Sequence, residues 1–106
     1  MPFQLVWANE TRQVHYTYVL LSRLDGRLYI GATGNLRERM KLHTDGHVRS
    51  TAHRRPLTLV YYEACLSADD AYRRERYLKS GRGGRYLKAR LASSLAGMRD
   101  HKLERR

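Results

Sequence analysis

Five side chains in this sequence are of the right types to cut a phosphodiester bond together: Tyr18, Tyr29, Arg39, His43 and Glu75. Such a cut needs a base for the attacking water, a cation against the negative charge that grows on the phosphate, and a proton or metal for the leaving oxygen. Taken singly, each residue has an ordinary explanation. Tyrosines are good strand residues. Arg39, in so basic a chain, reads as a solvated surface charge and His43 as a satisfied surface histidine. Glu75 has Arg73, Arg74 and Arg76 beside it, for a surface ion pair worth about 0–1 kcal/mol. What sets the five apart is their order and spacing along the elements that would carry them.

Those elements are legible in the pattern. Residues 14–21 and 28–32 are β-branched, aromatic and aliphatic, and Asp25-Gly26 between them is a hairpin signal. The strand period of two puts Tyr16, Tyr18 and Leu20 on one face, and Tyr29 with Gly31 on a common face of the second strand. Asn35 is placed to cap a helix through Leu36, Met40 and His43 that stops at Gly46, with Arg39 and His43 on the same side. A polar stretch over residues 47–56 reads as a loop, and residues 57–64 as a third strand. Ser67 and Asp70 resemble a capping box opening a helix to about Ser80. Its inward stripe is Ala68, Ala71, Glu75 and Leu78, so Glu75 is a carboxylate where an apolar residue is expected, and it needs a partner. Gly81-Arg82-Gly83-Gly84 reads as a turn, and Leu87, Leu91 and Leu95 mark one last helix ending near Gly97. The order β-β-α-β-α-α predicts an α+β fold, a small three-stranded antiparallel sheet flanked by helices.

The motifs also resemble a known family. Tyr16-Thr17-Tyr18-Val19, followed eleven residues after Tyr18 by Tyr29-Ile30-Gly31, is similar to the paired strand motifs of the GIY-YIG nuclease superfamily. Arg39, His43 and, much later, Glu75 follow in the family's order, and the resemblance spans about residues 15–92. The first motif reads Tyr-Thr-Tyr in place of Gly-Ile-Tyr. Ala32 stands where the excision-repair subunit UvrC has a lysine, so the chain looks more like the small stand-alone, UvrC-like members. The resemblance implies that Glu75 holds one divalent ion, Mg2+ or Mn2+, against the scissile phosphate. It further implies that Tyr18 activates the water, that Tyr29 and His43 assist proton transfer or phosphate positioning, and that Arg39 binds phosphate. A free tyrosine titrates near 10, so Tyr18 is expected to need its pKa lowered by Arg39 and the metal.

Composition agrees with a polyanionic partner. Lys and Arg number 21 against 10 Asp and Glu, a formal charge of +11 in 106 residues, and such an excess is most easily tolerated when nucleic acid neutralises it. Within the 47–56 loop, Arg49, Ser50, Thr51, Arg54 and Arg55 form the expected backbone-binding segment, its hydroxyls donating to phosphate oxygens. The pair His43 and His47 lacks the further ligands zinc would need, and Arg82-Gly83-Gly84-Arg85 lacks the lysine of a phosphate loop. Cys65 is the only cysteine, which fits a reducing cytoplasm, and neither a secretory signal nor a membrane-length apolar run is expected. The expected layout is an N-terminal extension (1–13), a catalytic-type domain (14–96) and a basic tail (97–106). The expected function is a metal-dependent endonuclease hydrolysing phosphodiester bonds in DNA, on structured or damaged substrates in repair or recombination. Its rivals are a non-catalytic nucleic-acid-binding module and a basic accessory subunit that docks on an acidic protein.

Overall fold

The computed structural model describes residues 13–104, with side-chain surroundings for residues 13–98. Residues 1–12, nearly all of the expected N-terminal extension, and residues 105–106 of the expected tail lie outside the described range. The elements are β1 (His15–Ser22), β2 (Leu28–Thr33), α1 (Leu36–Thr44), a 3₁₀ turn at Ala52–Arg54, β3 (Leu57–Cys65), α2 (Ala68–Lys79), α3 (Gly81–Arg90) and α4 (Ala92–Glu104). The three strands form one antiparallel sheet in the order β2-β1-β3. The fold is α+β, with one helix more than the sequence pattern showed.

β1 is paired on both edges and covered on both faces, so residues 17–22 are all buried despite the polar Thr17 and Ser22. Val19 and Leu21 pack with Ile30, Leu78, Leu87, Leu91 and Leu95, which makes α2, α3 and α4 the cover of one face. The even-numbered residues of β1 face α1 and the loop that follows it. Polar groups buried in the strand are satisfied locally: Thr17 Oγ1 donates to the Ala71 carbonyl at 3.0 Å, and Ser22 Oγ to the Arg54 carbonyl at 2.7 Å. At the hairpin, Gly26 takes φ 76°, and Asp25 Oδ1 accepts from the Arg27 N–H at 2.9 Å.

The helix starts divide into one that follows the sequence pattern and two that do not. Asn35 caps α1 as expected, its side-chain oxygen accepting from Glu38 N at 3.1 Å, and Gly46 at φ 80° closes the other end. Ser67 makes no side-chain cap on α2, and Asp70 is turned to Arg73 at 2.8 Å, so no reciprocal box forms. The expected turn at residues 81–84 is instead the first turn of α3, with Ser80 Oγ accepting from Gly83 N at 3.1 Å. Its glycines serve close packing rather than a loop: a Cβ on Gly83 would overlap the Tyr77 carbonyl and lie 2.8 Å from Leu78 Cα. The leucine stripe likewise spans two helices. α3 ends at Arg90 with Leu91 as its cap, yet Leu91 N still bonds Leu87 O and Leu95 N still bonds Leu91 O, and α4 then continues past Gly97 to Glu104.

This junction yields a paired prediction. Gly83→Ala should destabilise the protein by about 1–3 kcal/mol, a fall in Tm of roughly 4–20 °C for a domain this size. Gly84→Ala, whose nearest neighbour is 3.9 Å from the added carbon, should be neutral or slightly stabilising. Thermal unfolding by circular dichroism tells them apart, and equal Tm values would show that the two helices can part at no cost.

Candidate active site

Strand register builds the centre of the site. Tyr18 stands opposite Gly31 on β2 and Tyr62 on β3. Gly31 leaves the gap the phenol occupies, since a Cβ there would lie 2.5 Å from Tyr18 Oη and 2.6 Å from Cζ. Tyr29 lies on the same face, two residues before Gly31, and its ring centroid is 6.4 Å from that of Tyr18. His43 reaches both rings from α1, at 5.6 Å from Tyr18 and 5.4 Å from Tyr29. One turn earlier on α1, Arg39 Nε donates to Tyr18 Oη at 3.4 Å. Four of the five residues singled out in the sequence, Tyr18, Tyr29, Arg39 and His43, therefore meet on one face of the sheet.

The protons of this cluster are placed by burial. Tyr18 and His43 are at most 1% exposed. His43 Nε2 is 2.8 Å from Tyr18 Oη, and its Nδ1 is 2.7 Å from Thr51 Oγ1. Loss of water, aided by the Arg39 charge, pushes the His43 pKa down to about 4, so the ring is neutral at physiological pH. At Tyr18 burial raises the pKa, outweighing the hydrogen bond from Arg39 that lowers it, so Arg39 without a metal does not bring the phenol down. A phenol so placed stays protonated at physiological pH, with its Oη 2.8 Å from Nε2 of the neutral His43 ring. Arg39 itself is held firmly protonated, chiefly by its hydrogen bond to Tyr18. Among the described residues no carboxylate pairs with Arg39, so the N–H groups it does not turn to Tyr18 and Tyr29 can meet an anion.

Glu75 comes from the other layer. It lies on α2, which packs against α3, β2 and β1, and its charge is felt at Tyr18 as a small upward push on the phenol. The sequence pattern placed it on the buried stripe, but only Ala71 and Leu78 of that stripe are buried. Glu75 sits at the margin with its side chain 20% exposed, and its partner is Lys79 at 2.7 Å rather than a neighbouring arginine. Two of the three candidates for that role are taken elsewhere: Arg74 pairs with Glu63 at 3.0 Å and stacks on Tyr77 and Tyr86, and Arg73 holds Asp70. Among the described residues no three His, Cys, Asp or Glu side chains form a ready-made metal cage. A single half-covered carboxylate fits a hard cation that keeps most of its waters and borrows phosphate oxygens from substrate, the habit of Mg2+, and does not fit zinc.

The 47–56 loop differs from expectation in a way that reveals a residue the sequence reading misplaced. Thr51, expected to donate to phosphate, is 0% exposed and holds His43 instead. Arg54 is only 17% exposed, with Nε 3.8 Å from Asp25 Oδ2. Arg55 is exposed, but its guanidinium donates to the Ala52 carbonyl at 2.8 Å and the Thr44 carbonyl at 3.3 Å, closing the loop over the end of α1. Arg49 and Ser50 are exposed. A cleft of about 700 Å³ on the other flank of α1 is lined by Tyr16, Arg37, Met40, Leu59 and Tyr62, and none of the five candidate residues borders it.

Comparison with known proteins places this geometry. The family model for the GIY-YIG catalytic domain matches residues 14–86. A UPF0213 protein of Bacillus licheniformis is 42% identical over 66 residues, which cover 61% of this chain and 67% of that protein. UPF0213 proteins of Staphylococcus haemolyticus and Clostridium perfringens are each 39% identical over 67 residues, covering 62% of this chain and 80% and 71% of theirs. No solved structure matches the chain at a significant level. Among the described residues no helix is long and apolar enough to cross a membrane. With its matched segment holding both strand motifs, α1 and the Glu75 helix, the chain belongs to the GIY-YIG catalytic domain family, a family of nucleases.

Proposed function

We propose that this protein is a divalent-metal-dependent endonuclease that hydrolyses single phosphodiester bonds in structured or damaged DNA, serving repair or recombination in the cytoplasm. The observation that carries the reading is the hydrogen-bonded row from Arg39 through Tyr18 to His43, buried at one end and free to meet an anion at the other. In the reaction, Tyr18 Oη accepts a proton from the attacking water as its own proton passes to His43 Nε2. The water oxygen bonds to phosphorus while the bond from phosphorus to the leaving oxygen breaks, and that oxygen takes a proton from solvent as it departs, the proton held on His43 returning through Tyr18 to solvent afterwards. Arg39 holds the phosphate and stabilises the charge spread over its oxygens, and Tyr29 packs the imidazole in place. Glu75 would hold a Mg2+ or Mn2+ ion, which when bound supplies positive charge against the phosphate and the leaving oxygen. To reach it the carboxylate must release Lys79, whose side chain is 51% exposed and can turn to solvent. Arg49 and Ser50 would contact the backbone beyond the scissile bond, with Arg54 and Arg55 shaping the loop beneath them.

Incubation of the protein and of Glu75→Ala with supercoiled, flapped and branched DNA, with Mg2+ or Mn2+, tests this. The parent should nick DNA only with metal, and the variant should lose at least about a hundredfold in rate. Equal nicking by both would remove Glu75 and its ion from the mechanism. The charge of +11 supports a second reading, a nucleic-acid-binding module without catalysis. Salt-sensitive binding with no metal-stimulated cleavage of any DNA or RNA would decide for it.

A further inference from the structure

We propose that Thr51 is a positioning residue for this site: it holds His43 in the tautomer whose proton is on Nδ1, leaving the Nε2 lone pair aimed at the Tyr18 hydroxyl. The inference rests on the nuclease reading for its kinetic consequence and on geometry alone for its structural content. Thr51 lies in the turn leading into Ala52–Arg54, eight residues from His43. Its side chain is completely buried, and Oγ1 is 2.7 Å from Nδ1. The same oxygen is 3.5 Å from the Val48 carbonyl, the direction open to its own proton. With that proton turned toward the carbonyl the hydroxyl accepts from the imidazole, and Tyr18 Oη, which already accepts from Arg39 Nε, has its own proton to give Nε2; both sides of the ring point to the hydrogen on Nδ1.

This choice decides whether His43 can act. With the lone pair on Nε2, 2.8 Å from Tyr18 Oη, the imidazole accepts the phenol's hydrogen bond and can take its proton. In the other tautomer Nε2 would donate to the phenol, and the row from Arg39 to His43 would contain no acceptor for the Tyr18 proton. Because both groups are shut away from water, no solvent molecule is at hand to replace Thr51 as the acceptor. The backbone of the turn keeps the threonine in place, with Thr51 N and Ala52 N both donating to Val48 O, at 3.1 and 2.9 Å.

The test combines nitrogen NMR of the His43 ring with cleavage kinetics on the parent, Thr51→Val and Thr51→Ser. In the parent at pH 7 the two ring nitrogens should report the hydrogen on Nδ1; a hydrogen on Nε2 overturns the inference whether or not the protein cuts DNA. Thr51→Val, which keeps the shape and removes the oxygen, should lower kcat by roughly tenfold or more with KM within about twofold, and shift the ring toward the other tautomer. Thr51→Ser should restore both the tautomer and a rate within about twofold of the parent. If Thr51→Val does not fold, the parent spectrum and the serine variant still decide. A valine variant with the parent's rate and tautomer, or a serine variant as impaired as valine, also overturns it. Absence of cleavage by the parent, with the Nδ1 hydrogen present, would count against the nuclease reading alone.

Discussion

Tyr18→Phe should reduce DNA cleavage by roughly 10²- to 10⁴-fold, the usual contribution of a positioned proton-transfer group. The substitution is close to isosteric, so the ring still fills the gap over Gly31 and packs on Tyr29 and His43. What disappears is the oxygen that links Arg39 to His43. His43 Nε2 is then left buried without a partner, at a stability cost of about 1–3 kcal/mol, so the variant should remain folded with a moderately lower Tm. DNA affinity, carried by surface cations, should stay within about threefold at matched salt. Single-turnover cleavage with saturating enzyme separates the chemical step from binding. A phenylalanine variant that cleaves within tenfold of the parent would mean that the attacking water loses its proton elsewhere, and the hydrogen-bonded row would be structural.

The second large effect is on stability in acid. His43 has a folded-state pKa near 4 and an unfolded value near 6.5. Between those values the unfolded chain binds a proton that the folded chain refuses. The stability that neutral His43 gives is therefore complete above about pH 6.5 and is lost as pH falls toward 4, by an amount of order 3 kcal/mol in total. The physical cause is loss of hydration, reinforced by the Arg39 charge alongside. Urea unfolding of the parent from pH 7 to 4 should show this slope. His43→Asn, with nothing to titrate at that position, should be less stable at pH 7 but lose less on acidification, by about 1.4 kcal/mol per pH unit across the window. Parallel curves for the two proteins would show that the imidazole is protonated as readily folded as unfolded.

Much of this was legible in the residues themselves. The Asp25-Gly26 hairpin, the Asn35 cap, the leucine stripe and the alternation that sets Tyr18 with Tyr16 and Tyr29 with Gly31 follow from local rules, because turn conformation, capping and strand alternation depend on near neighbours in the chain. The order of tyrosines, arginine, histidine and glutamate likewise carried the family resemblance before any fold was known. Three matters were decided only by the tertiary structure. Gly81 to Gly84 have turn composition, yet the close crossing over Tyr77 makes them the start of a helix. Thr51 has the composition of a surface loop, and only the fold of that loop beneath α1 turns its hydroxyl onto His43. The ionisation of Tyr18 could not be read either: counting neighbouring cations predicts a lowered pKa, whereas burial at the centre of the sheet raises it. Composition reports which charges a chain owns, but hydration is a property of the assembled surface, and at this site the loss of water outweighs the nearby charge.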